Sequence, residues 1–386
     1  MPLAPVNRSK FAIFTVVFAA ATALNAGAAR AQVVRAETVA SGLQNPWGVA
    51  FLPEGRFLVT ERPGRLRVVA PDGKVGPPVT GLPEVAAGGQ GGLLDVITDA
   101  DFARNRTIYF CFSEPAAVGN GNSTAVARAE LSLDATRLDA VQVIFSQKPK
   151  VASTSHFGCR IAEGQRDGKP DGTLFLTLGE RYSRMADAQT LDNHLGKVVR
   201  VGKDGRVPAD NPHVGKAGAL PEIWSHGHRN LQGATLGPDG ALWTHEHGPQ
   251  GGDEINRPQP GRNYGWPVIT YGENYGGGKI GAGITAQAGM EQPLHYWVPS
   301  IAPSGMAFLT SDRYGPAWKG NLFVGSLKFQ YLDRIELAAD GKVLREHKLL
   351  AELGQRVRDV RQGPDGWLYV LTDSSNGRLV RVLPGQ

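Results

Sequence analysis

Residues 245–266 read "HEHGPQGGDEINRPQPGRNYGW", and three kinds of chemistry compete for them. Two histidines around Glu246 suggest metal ligands, but zinc peptidases place their histidines four apart on a helix face. His245 and His247 stand two apart in "THEHG", at the end of a predicted strand, so that spacing argues against zinc. "GGDEIN" lacks the ligand spacing of an EF-hand loop. Asp253, Glu254 and the free carbonyls of a glycine-rich loop are nevertheless hard oxygen donors of the kind calcium takes. A tight turn with solvated acids is the plainer alternative, and the motif alone leaves both open.

Other titratable groups recur at matching places. Glu61, Glu180, Lys328 and Asp373 follow one type of strand, as do residues 245–248, while Gln90, His156, Arg229 and Arg358 stand where strands begin. The recurring strand is seen in "GRFLVTE", "GTLFLTLGE", "GALWTHEHG", "GNLFVGSL" and "GWLYVLTD", apolar runs bounded by turn residues. It belongs to a larger unit of apolar strand, Pro-Asp-Gly-type turn, alternating strand, loop and strand, found six times between "NPWGVAF" at 45 and the C-terminus. Each unit is too small to bury its own apolar face. The repeat therefore predicts an all-β fold, a six-bladed β-propeller of four-stranded antiparallel blades. Fifty glycines and 26 prolines suit its many turns. Only residues 186–195 suggest a short helix. Equivalent strand ends converge on one mouth of the central channel, so the charged groups gather where a site is built. Taken singly, each serves equally well as a solvated rim residue. Two long inserts, 181–228 and 262–300, are expected on the same face.

The N-terminus carries Arg8 and Lys10, the 14-residue apolar run "FAIFTVVFAAATAL", and an A-x-A pattern at Ala29 and Ala31. This reads as a secretory signal peptide cleaved after Ala31, leaving 32–386 as a single propeller domain in the periplasm or secreted. The run is shorter than the roughly 20 residues that span a bilayer, and no later segment is continuously apolar, which argues against membrane insertion. Removing residues 1–31 takes away three positive charges and no acid, so the formal charge falls from +5 to +2. No Lys/Arg run remains to track nucleic acid. Cys111 and Cys159 are too few for a disulfide framework; one disulfide or two buried thiols both fit.

With these motifs in order, the chain resembles the soluble pyrroloquinoline-quinone (PQQ)-dependent aldose sugar dehydrogenases, the glucose/sorbosone dehydrogenase family. The resemblance spans essentially the whole mature chain. It rests on "NPWGVAF" at 45, "GGQGGLLDV" at 88, "HFGCRI" at 156, "LGKVVRV" at 195, "GHRNLQG" at 227, the stretch from 245, "SIAPSGMAF" at 300 and "GQRVRDVRQGPDGWLYVLTD" at 354. It implies a six-bladed propeller, in agreement with the repeat. It also implies PQQ and Ca2+ as cofactors, a sugar substrate and an external electron acceptor; monomer or homodimer is left open.

The resemblance places roles on particular residues. The quinone carries three carboxylates, for which Lys328, Arg356 and Arg358 would supply charge, with Asn230 and Gln90 bonding the ring system and His247 flanking it. The i, i+2 spacing of Arg356 and Arg358 puts both on one strand face; without the resemblance, "RVRD" would read as an exposed face partnered by Asp359. The carbonyls of Gly248 and Pro249 match ligands of a calcium ion under the quinone, and Asp253, Glu254 and the Tyr264 backbone match a further calcium site. His156 matches the general base, Glu180 loosely the carboxylate orienting it, and Arg229 the group stabilising charge on the cofactor oxygen. His228 is expected to pack or orient. Ser155 stands where glucose-oxidising relatives can carry a carboxylate, and Leu231 replaces a common proline, so glucose itself is not implied. Two other classes use such a fold: calcium-dependent lactonases, and noncatalytic propellers that bind envelope partners. Neither needs the Lys328, Arg356 and Arg358 set.

Overall fold

The computed structural model describes residues 1–3 and 34–385. Contacts divide the chain into Met1–Gln32 and Val33–Gln386, and residues 4–31 of the expected leader, with its cleavage point, fall outside the described residues. No helix among the described residues is long and apolar enough to cross a membrane.

Six four-stranded antiparallel sheets form the predicted six-bladed propeller. Their first strands are Pro46–Phe51, Leu93–Thr98, Gly158–Arg166, Leu231–Leu236, Pro303–Phe308 and Arg356–Gln362, each packed on the next around the channel. The strand recognised as recurrent is the second of its blade in every copy. The last blade is composite: its outermost strand is Val34–Leu43, paired antiparallel with Gly377–Pro384. That closure was not visible in the repeat, because the unit is split between the two ends of the chain.

All six first strands show a register shift near their start, for instance between Gly158 and Ile161 and between Val357 and Asp359. An extra residue there twists the strand and re-aims its side chains, turning strand entries toward the mouth. Beneath the mouth the first strands are tied by charge. Arg160 bonds Asp95 at 3.1 Å and Asp359 at 2.9 Å, and Arg361 reaches the same two acids at 2.6 and 3.2 Å. Asp359 therefore partners Arg160 and Arg361, not the arginine pair at 356 and 358. Gly305 lets blades close on this hub, since a Cβ there would stand 2.3 Å from the Asp359 carboxylate.

The helix expected at 186–195 is only a 3-10 turn, Met185–Gln189. Side chains beyond it bond locally, Thr190 to Asp192 at 2.8 Å and Asn193 to the Leu195 N–H at 2.8 Å, which competes with helix propagation. Cys111 and Cys159 are buried free thiols.

Candidate active site at the channel mouth

His156 and Glu180 meet as expected. The imidazole Nδ1 lies 2.6 Å from Glu180 Oε2, and both side chains are buried. A carboxylate on Nδ1 fixes the tautomer with the proton there, leaving Nε2 as the free acceptor. Burial pulls the His156 pKa below 6.5 against the opposing pull of Glu180, with Arg229 and Arg181 also lowering it. The ring is therefore neutral at pH 7. The close approach requires glycine at 179, where a Cβ would stand 2.1 Å from the His156 carbonyl. Gln90 is committed to the same residue, its amide oxygen accepting the His156 backbone N–H at 2.8 Å.

Arg229 stands across the mouth. Its Nη1 donates to the carbonyls of His247 at 3.0 Å and Gly248 at 2.7 Å; its buried Nε has no partner, and its guanidinium lies over Trp266 at 5.2 Å. Asn230 is buried, with its amide oxygen accepting from the Gly158 N–H and Gln232, each at 3.3 Å. His247 is turned away from ligand duty: Nε2 lies 2.6 Å from the Pro303 carbonyl, which ties blade four to blade five, and burial pushes its pKa well down. His228 packs and orients, stacked on Tyr264 at 4.7 Å and bonded to Glu246 at 2.8 Å.

The three expected cations divide. Lys328 and Arg356 line a cleft of about 940 Å³ together with Pro249, Tyr271 and Ser300. Arg358 is buried, held by Asp373 at 2.8 Å and Gln232 at 3.3 Å, with its Nε unpartnered. Arg356 shares Asp373 at 3.5 Å, so both arginines reach one carboxylate across the register shift between them, and that carboxylate is not Asp359. A second cavity of about 140 Å³ contains Glu180, Tyr182, Arg229 and Trp266, and Pro249 and Tyr275 border both. The inserts from 181 and 262 supply Tyr182, Trp266, Tyr271 and Tyr275, on the site face as expected.

The acids of the opening stretch do not converge. Asp253 accepts from Gly248 N–H, Ser300 Oγ, Ile301 N–H and Ala302 N–H at 2.8–2.9 Å, which staples the glycine loop to the next blade. Glu254 instead faces Glu246 across the strand pair and accepts from Asn256 at 3.1 Å; burial and the Glu246 charge push its pKa up to about 8. Among the described residues no three His, Cys, Asp or Glu side chains are placed to hold a metal. A cation in the Gly248–Pro249 turn would rest on main-chain oxygens. Gly248 could serve Arg229 and a cation together, since a carbonyl has two lone pairs.

Sequence reasoning missed Trp266, Tyr182 and Arg181 as members of the site, and placed Asp373 at the mouth without its partners. Trp266 and Asp373 stood inside quoted motifs, but only the tertiary packing shows what they face.

The family description Glucose / Sorbosone dehydrogenase matches residues 43–381. The chain is 46% identical to the aldose sugar dehydrogenase YliI of Escherichia coli (strain K12) over 91% of this chain and 93% of that one. Among solved structures, the soluble aldose sugar dehydrogenase of Escherichia coli in its apo-form superposes with a TM-score of 0.86 at 44% identity, covering 92% of this chain and 100% of that one. The PQQ-bound aldose sugar dehydrogenase of Streptomyces coelicolor gives a TM-score of 0.72 at 27% identity, covering 90% and 98%.

Proposed function

The chain belongs to the glucose/sorbosone dehydrogenase family, and on that premise we propose that it is a PQQ- and calcium-dependent dehydrogenase that oxidises an aldose at C1 to the lactone. The observation that carries the reading is the buried His156–Glu180 pair at 2.6 Å, set beside a cation-lined cleft. Neutral Nε2 takes the C1 hydroxyl proton, and Glu180 steadies the imidazolium that results. Arg229, with a buried unpartnered Nε, stabilises the negative charge that develops opposite the base. Lys328, Arg356 and Arg358 would hold carboxylates of the quinone, and Asn230 and Gln90 would fix the rim of its pocket. The carbonyls of Gly248 and Pro249 would hold calcium, with Asp253 fixing that loop; a further calcium at Glu254 and the Tyr264 backbone would have to displace the proton that burial and Glu246 favour on Glu254. When bound, the quinone supplies the hydride acceptor and calcium a Lewis acid. His247 supports the pocket wall through Pro303.

We place the enzyme outside the cytoplasm, exported by residues 1–31, with its electrons passing to an external acceptor. The test is reconstitution of mature protein with PQQ and calcium while the quinone absorbance is followed as aldoses are added in turn. Reduction by an aldose, abolished when a chelator is present during reconstitution, is expected. Quinone binding without reduction by any aldose would move the substrate elsewhere, and no binding would overturn the cofactor.

A further inference from the structure

His156, Arg181 and Tyr182 all have left-handed backbones, at φ 50°, 67° and 68°. Three non-glycine residues in that region, side by side at one site, carry a conformational cost that surrounding structure must offset. Gly179 allows the two segments to touch but supplies no holding force. Arg181 does. Its side chain is completely buried, and among the described residues it forms an ion pair with no carboxylate. Its donors go instead to neutral groups: Nε to the Ser155 carbonyl at 3.0 Å, Nη1 to the Asn122 carbonyl at 3.0 Å, Nη2 to Asn122 Oδ1 at 2.7 Å and to the Ser153 carbonyl. The guanidinium lies 3.7 Å over the Phe157 ring. The backbone closes the same loop, Arg181 N–H donating to the His156 carbonyl at 3.3 Å and Ser153 Oγ to the Arg181 carbonyl at 2.9 Å.

We propose that Arg181 is a positioning residue for His156: its guanidinium grips segment 153–157 from both sides and anchors it to Asn122 of the second blade, holding the histidine against Glu180. A buried cation bonded only to neutral groups is an expensive way to hold a loop. Besides its four hydrogen bonds, the retained charge acts on the nearby imidazole, which it disfavours in the protonated form. The groups around His156 are Glu180, Arg229, Arg181 and the edge of Tyr182 at 5.2 Å, so removing the Arg181 charge leaves Glu180 less opposed and the imidazolium easier to form. Loss of Arg181 thus misplaces the base and makes it more readily protonated.

The inference rests on His156 being the base, and the experiment separates the two. Arg181→Met and Asn122→Ala are made in mature protein. The His156 ring is titrated by NMR without quinone, and kcat and KM are measured after reconstitution with PQQ and calcium. Arg181→Met is expected to raise the His156 pKa, lower kcat about 100-fold and leave KM within about twofold. Asn122→Ala keeps the charge and loses one anchor; a fall in kcat of about tenfold is expected, with the His156 titration close to wild type. A folded Arg181→Met protein with wild-type kcat and a wild-type His156 pKa would overturn the proposal. If Arg181→Met does not fold, Asn122→Ala decides: unchanged kcat is fatal. Should wild-type protein oxidise no aldose, the dehydrogenase reading fails, while the NMR titration still decides whether Arg181 governs the ring.

Discussion

The charged groups of the hub and those of the mouth above it are built to opposite rules. In the hub, Asp95 and Asp359 meet Arg160 and Arg361 in a closed square, each acid bonded by both arginines. At the mouth, among the described residues, Arg229 and Arg358 each keep a buried Nε with no partner, and the exposed Lys328 pairs with no carboxylate. Matched charge holds blades together. Positive charge in excess, with Glu180 spent on His156 and one carboxylate, Asp373, shared by Arg356 and Arg358, is a standing preference for an anionic ligand. Completeness of pairing separates the two sets.

If that contrast is right, damage at the mouth should cost chemistry and spare the fold, and damage in the hub should do the reverse. His156→Ala is expected to lower turnover by about a thousandfold while quinone binding and the melting temperature persist, measured by steady-state rates and calorimetry. Arg160→Met leaves two buried carboxylates short of a partner. It should cost about 3–5 kcal/mol in denaturant unfolding, whereas equal stability of the variant would dissolve the distinction. Lys328→Met should weaken quinone binding by about tenfold or more, read by titration of the cofactor, at unchanged unfolding midpoint. The smallest effect concerns pH. Because burial lowers the His156 pKa below 6.5, the base form survives acidification longer than free imidazole would. The acid limb of kcat/KM is expected below pH 6.5, and a limb above it would mean that another group titrates.

The propeller was legible because its signal is repeated: the "GRFLVTE" type of strand returns in blade after blade, and period-2 apolar patterns with turn residues fix antiparallel strands. Strand ends placed His156, Glu180 and Arg358 at the mouth, and the family resemblance implied that His156 and Glu180 pair. What was not legible depends on contacts between distant segments. Asp253 and Glu254 are adjacent in sequence, yet one serves the 300–302 turn and the other faces Glu246. Apart from the resemblance, "RVRD" reads as an exposed face partnered by Asp359, yet Asp359 belongs to Arg160 and Arg361 while Asp373 partners Arg358. The 3-10 turn at 185–189 was overcalled as a helix because local Thr, Asp and Asn bonding beyond it leaves no periodic trace.

The composite last blade carries a consequence for how the molecule is made. Glu37 and Arg381, joined across the closing strand pair, are 344 positions apart, so the ring cannot shut until almost the entire polypeptide is present. Until then Val34–Leu43 has no sheet to join and the last sheet exposes the edge of Gly377–Pro384, the kind of surface on which chains aggregate. Contacts this distant are slow to form, and a molecule that closes late stays threadable for longer. A circular permutant that cuts between two intact blades and joins the present ends would make the sixth blade continuous; it should refold faster and aggregate less than the natural order.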